Sequence, residues 1–176
     1  MPLLTSSCQR IDRINLYLCK GVSWLTLTMV ILVFLIVILR YGFNLGWIAM
    51  QESAMYLHAM VFMLGAAHTL KADEHVRVDI FYRRLSVRTR NLIDIAGTLL
   101  LLLPVNGFIF VMSWDYVSSS WLLLEASPEA GGLPLVFVLK SLIPIFCLTM
   151  TLQALAQSWL NWQQLKQAQA NTQREA

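Results

Sequence analysis

Four apolar runs, separated by polar segments of very different character, set the layout of this chain. The first, "VSWLTLTMVILVFLIVIL" over residues 22–39, carries no charge. The second covers 48–70 and is interrupted by Glu52, His58 and His68. The third, 92–114, has Asp94 near its start, and the fourth, 133–159, carries Lys140 about two turns in. Each is long enough for the hydrocarbon core of a bilayer, which takes about 20 mostly apolar residues in a helix. The pattern predicts an all-α integral membrane protein with four transmembrane helices. It forms a single membrane domain over 1–176, with a basic loop at 71–91 and a polar, Gln/Ala-rich tail at 160–176 that reads as a solvated tail or a helix extension.

Composition agrees with that layout. The chain of 176 residues is 57% hydrophobic and 13% charged, with a mean hydropathy of +0.62, whereas a soluble domain carries roughly a quarter charged residues. Charge location then gives the orientation. With four spans, the N-terminus, the 71–91 loop and the C-terminus share one side of the membrane. Eleven of the thirteen Lys and Arg residues fall there, Arg40 and Lys140 being the other two. Basic residues gather on the cytoplasmic side, so both termini are expected inside. All six tryptophans lie at or just beyond a predicted span end, as in an interfacial aromatic belt. The first apolar run is too long for a signal-peptide core and lacks a small-residue cleavage site after it, so it is expected to stay as a span.

The loop between Lys71 and Asn91 holds a second pattern. Val78, Phe81, Tyr82 and Leu85 fall on one helical face, and Arg77, Arg84 and Arg88 on another. A short basic amphipathic helix on the inner leaflet has this form, with a weaker version in "RIDRINLYLCKG"; both also serve as plain topology anchors. Ser86 is positioned to cap the third spanning helix. The cluster Asp73, Glu74, His75 and Asp79 holds ligand-type residues, yet among so many arginines it reads as a solvated or interface face before a metal site. Nucleic-acid binding is a poor reading of a net charge of only +3.

Ionisable groups at membrane depth need a partner or a purpose. Arg40 ends the first span and Glu52 begins the second on the same side, so a salt bridge clamping this hairpin is expected; the other reading has Glu52 carry a proton or cation. Its near-interface position favours the bridge. Lys140 either snorkels to the outer interface or pairs with an acid on another helix or subunit. Gln153 is suited to an interhelical hydrogen bond. Pro104 and Pro144 are expected to kink their helices, and "GGLP" to form a turn whose proline opens the last helix. Ala59, Gly65, Ala66 and Ala67 suit close helix contact, inside the bundle or with another chain. His58 and His68 raise the question of a haem-binding redox anchor, but ten residues along one helix separate them by about 15 Å, and the other three spans hold no histidine. No nucleophile elbow, HExxH, phosphate loop or CxxC is present. No catalytic residue, metal or cofactor is expected.

Several segments together carry a resemblance. They are "LRYGFN" ending span one, "GWIAMQESAMY" entering span two, "FMLGAAHTLKADEHVRVDIFYRRLS" across span two and its loop, and "SPEAGGLPLVFVLKSLIPIFCLTMTLQALA" at span four. In this order the chain resembles, over about residues 15–160, the small DctQ-type membrane subunit of tripartite ATP-independent periplasmic (TRAP) transporters. The resemblance implies a subunit without catalytic activity. Its partners would be a large multi-span DctM-type permease subunit, a periplasmic DctP-type solute-binding protein and membrane lipids, in sodium-coupled uptake of an organic acid. Solute and sodium sites would belong to those partners, so Arg40, Glu52, His75, Arg77, Asp79, Lys140 and Gln153 stand only as structural or interface candidates here. Many relatives carry paired acids where this chain has Gln51–Glu52, which weakens a functional claim for the acid.

Overall fold

Hydrophobic spacing and the scarcity of helix breakers make nearly every described segment helical. The computed structural model describes residues 2–72 and 85–175, with side chains at 11, 13, 15–72 and 85–167. His75, Arg77, Asp79 and the amphipathic pattern at 78–84 lie outside the described residues. Helix α1 runs Pro2–Phe43 and α2 Ile48–Ala72. The third span is α3, Val87–Gly97, a π-helical turn at Thr98–Leu102, and α4, Leu103–Leu122. Helix α5 runs Val136–Glu175. Four stretches are long and apolar enough to cross a membrane: Asn15–Phe43, Ile48–Ala72, Val87–Leu122 and Val136–Gln167.

The helices outrun the apolar runs because hydropathy ends where water begins, while a helix continues until something stops it. Gly21 alone, at roughly 1 kcal/mol against alanine, does not break α1. The segment "RIDRINLYLCKG" therefore forms part of α1 and not a separate interfacial helix. What ends α1 is Asn44, at φ 54°, a left-handed conformation that asparagine tolerates better than most residues. The N–H of Leu45 then returns to the Leu39 carbonyl at 2.9 Å. Ser86 caps α3, its hydroxyl accepting from the Thr89 amide at 3.3 Å. The polar tail is helix extension as far as Glu175.

The two prolines behave differently. Pro104 has no N–H, and its ring would press on the carbonyl four residues back. The turn just before it widens, with the Leu103 amide reaching the Thr98 carbonyl five residues back, which makes room in the manner of a π-bulge. Pro144 sits inside α5, and the helix passes through it unbroken. Pro134 does not open that helix, which starts two residues later at Val136.

Helix α5 is the hub. It packs along α2 and α4, meets α3 on its C-terminal half, and touches α1 more lightly, while α1 lies mainly against α2. Much of the core belongs to it: Leu142, Cys147, Met150, Gln153, Ala154 and Ala156 are all buried. Opposite, α2 buries Tyr56 and Ala67, so at Ala67 the small residues serve internal packing. Helix α4 turns a stripe of Asn106, Ser113, Val117 and Ser120 inward, the small, weakly polar surface that lets membrane helices approach closely. By contrast α1 is exposed along most of its length, with buried side chains only at Asn15 and Val22 among those described.

Candidate functional site

The apolar spans leave few polar groups, and these gather where the two helical hairpins meet. At the start of α2 the half-buried Glu52 faces the loop joining α4 to α5. One carboxylate oxygen accepts from the Ser127 hydroxyl, and the other from the Leu133 amide at 2.6 Å. That loop is internally bonded. The Ser127 amide donates to the Leu133 carbonyl at 3.0 Å, Gly132 to Glu129 at 3.0 Å and Val136 to Glu125 at 3.1 Å. The Glu129 amide donates to the Ser127 hydroxyl at 3.2 Å. Gly131 takes φ 81°, which glycine adopts without steric cost. Gly132 is constrained differently: a Cβ there would overlap Ser127 and lie 2.9 Å from Glu52 Oε1, so only glycine lets the loop sit this close to the acid.

The same end holds the ion pair formed among the described residues, Lys140 to Glu125. The ammonium also lies 3.8 Å from the centroid of the Tyr116 ring, a cation–π geometry. Beside it, Trp121 Nε1 donates to the Ser141 hydroxyl at 2.7 Å, and the Trp121 and Phe137 rings meet edge to face with centroids 4.7 Å apart. The expected Arg40–Glu52 bridge is not formed. Glu52 lies one turn from the buried Tyr56 and shares its inward face, whereas Arg40 is exposed at the end of α1. Lys140 pairs with an acid in the loop preceding its own helix, with no second subunit needed.

In the interior, Gln153 is fully buried and accepts from Asn15 Nδ2 at 2.7 Å. This is the interhelical bond expected of it, and it ties α1 to α5. A second tie, Asn91 Nδ2 to Gln164 Oε1 at 3.1 Å, joins α3 to α5. Sequence reasoning missed Glu125, Ser127, Asn15 and Asn91. Glu125 and Lys140 flank one hairpin turn, a signal that could have paired them; nothing local pairs Asn15 with a residue 138 positions away.

His58 is exposed and rests against Phe62, ring centroids 5.8 Å apart. No group of three or more His, Cys, Asp or Glu residues able to hold a metal occurs among the described residues.

The Glu125–Lys140 pair makes acid sensitivity testable. Lys140 donating to Glu125 holds the carboxyl below its ordinary value of 4.5. A lowered carboxylate stabilises the fold fully above that value and loses its contribution as pH falls through the lowered one. The melting temperature of the purified chain should therefore be insensitive to this group from pH 7 to 5 and decline below about 4.5. Glu125→Gln should remove part of that decline. The effect will be small, because the Glu125 side chain is 38% exposed and water screens the pair. An unaltered acid limb in Glu125→Gln would show that the pair contributes nothing.

Comparison with known proteins completes the picture. The family model described as "Tripartite ATP-independent periplasmic transporters, DctQ component" matches residues 29–164. Over 57 residues the chain is 42% identical to a Haemophilus influenzae protein provisionally named as a TRAP transporter small permease protein, covering 32% of this chain and 35% of that relative. The match thus spans about a third of the relative's length. No solved structure gives a match. With the family model matching residues 29–164, well over half of the chain, the chain belongs to the DctQ component family of tripartite ATP-independent periplasmic transporters.

Proposed function

We propose that this chain is the small, non-catalytic subunit of a sodium-coupled, binding-protein-dependent transporter. It would scaffold a large multi-span permease subunit that imports an organic acid across the inner membrane, with both of its own termini cytoplasmic. The observation that carries the reading is His58. It lies about 15 Å along α2 from Ile48, near mid-membrane, and it faces outward. Lipid tails offer an imidazole no hydrogen-bond partner, so a polar ring at that depth implies protein against it. Gln51, Met55, His58 and Phe62 form one exposed lane at helical spacing, a shape suited to a neighbouring spanning helix. The remaining polar groups support a static role. Glu52, Lys140, Asn15 and Gln153 spend their bonds inside the chain, and between Val22 and Leu39 the exposed face of α1 carries no charge.

The test is a photo-crosslinking residue at position 58, in the tagged chain expressed in its native cell and purified in mild detergent. The expected result is a covalent adduct to a much larger multi-span membrane protein that also co-purifies in stoichiometric amount. Crosslinks to lipid alone, with the chain recovered by itself, would overturn the reading.

A further inference from the structure

Helix α2 is held from two sides, by α1 and by α5, and those two helices also touch each other behind it. Its remaining side is open. The residues that run along it are Gln51, Met55, His58, Phe62 and Gly65, at alternating steps of four and three that keep them on one face. The first four are exposed, and a Cβ on Gly65 would meet nothing within 4 Å. The lane rises about 21 Å, most of a hydrocarbon core of roughly 30 Å.

The lane carries no charge. At its centre the His58 ring rests against Phe62, and no hydrogen bond among the described residues reaches its nitrogens. A neutral imidazole offers one N–H donor and one acceptor nitrogen, and acyl chains satisfy neither. Two turns nearer the basic end, Gly65 leaves a notch beside the Phe62 knob. Its carbonyl already accepts from the Thr69 hydroxyl at 3.2 Å, so the notch offers room for another backbone to come close, and not a bond. Between helices in lipid there is no hydrophobic drive, and small residues and polar groups decide where they meet. A polar point and a notch about 10 Å apart define one register. Sliding a partner helix by a turn would break the bond and close the notch together.

We propose, on the reading of this chain as a small transporter subunit, that the lane receives a single spanning helix of the large subunit in one fixed register. That helix presents a hydroxyl or carboxamide side chain to His58 and passes closest at Gly65. The group is neutral, because an ion at mid-membrane is costly and the lane holds no fixed charge to offset it.

The test places photo-crosslinking residues at position 55 or 62 of the full chain, tagged in its native cell and purified in mild detergent, and maps the adducts by peptide mass spectrometry. Both positions should mark one segment of the large subunit, with a Ser, Thr, Asn or Gln between the two marks. His58→Leu should speed loss of the large subunit during washing by about fivefold, the scale of one hydrogen bond in a membrane. His58→Gln, which keeps a donor and an acceptor, should restore most of the retention. Gly65→Leu should speed the loss by about tenfold, while the melting temperature of the chain alone holds or rises, since the space in front of Gly65 is open and leucine favours a helix. Adducts scattered over several segments, no polar side chain between the marks, or wild-type retention in either His58→Leu or Gly65→Leu would overturn the register while the large subunit still co-purifies and the subunit reading stands. Recovery of the chain alone, with adducts to lipid only, would overturn both.

Discussion

Replacing Glu52 with alanine will release the 123–135 loop from α2. Both carboxylate oxygens are engaged with that loop, and the Leu133 amide has Glu52 as its partner at 2.6 Å. Without the acceptor, this amide sits at the membrane interface with its hydrogen bond unmade. The direct readout is hydrogen exchange at Leu133, expected to quicken by at least about tenfold on loss of a charge-assisted bond, with the melting temperature falling by several degrees. Glu52→Gln keeps one carbonyl acceptor and most of the shape, so it should fall between wild type and alanine. Gln51→Ala, on the exposed neighbouring position, should do nothing. Gly132→Ala should mimic Glu52→Ala from the opposite side, because the added methyl pushes Ser127 and Glu52 apart. Unchanged exchange at Leu133 in Glu52→Ala would show that the loop holds its shape unaided.

The second large effect is expected at Gln153. Truncation to alanine removes the acceptor of Asn15 Nδ2 and leaves that amide facing buried, apolar surroundings. An unsatisfied buried donor costs about 1–3 kcal/mol, which a denaturant titration in detergent micelles resolves. The paired replacement Asn15→Leu with Gln153→Leu removes both polar groups together, and it should recover most of the loss, since matched apolar pairs can stand in for buried polar ones. If the double variant is as weak as the single, the cost lies in lost packing on α5 and not in the bond.

The spans were legible in the sequence because crossing a bilayer demands a long apolar helix, and that demand is one-dimensional. Ser86 as a cap and Gln153 as an interhelical donor or acceptor were legible for the same reason: each is a local chemical need. Partners were another matter. Arg40 and Glu52 are neighbours along the chain and yet point apart, because Glu52 belongs to the face that also buries Tyr56. Glu52 finds its partners in a loop 75 to 81 positions away, and such a contact depends on how two hairpins dock. Helix ends were also misjudged, since solvated turns continue a helix without any hydropathy signal. The importance of His58 emerged only when its exposure was known, for a histidine in an apolar run reads alike whether it faces in or out.

The ties along α5 have a mechanical consequence. Glu52 grips the loop just before Val136, and Asn91 holds Gln164, so the fastened points lie roughly 40 Å apart along the helix, with the Asn15 bond to Gln153 between them. With no hydrophobic drive between helices in lipid, axial sliding is resisted only by side-chain packing and interhelical bonds. Rungs at both ends forbid it. The result is a strut stiff in shear, able to bear lateral load without changing register.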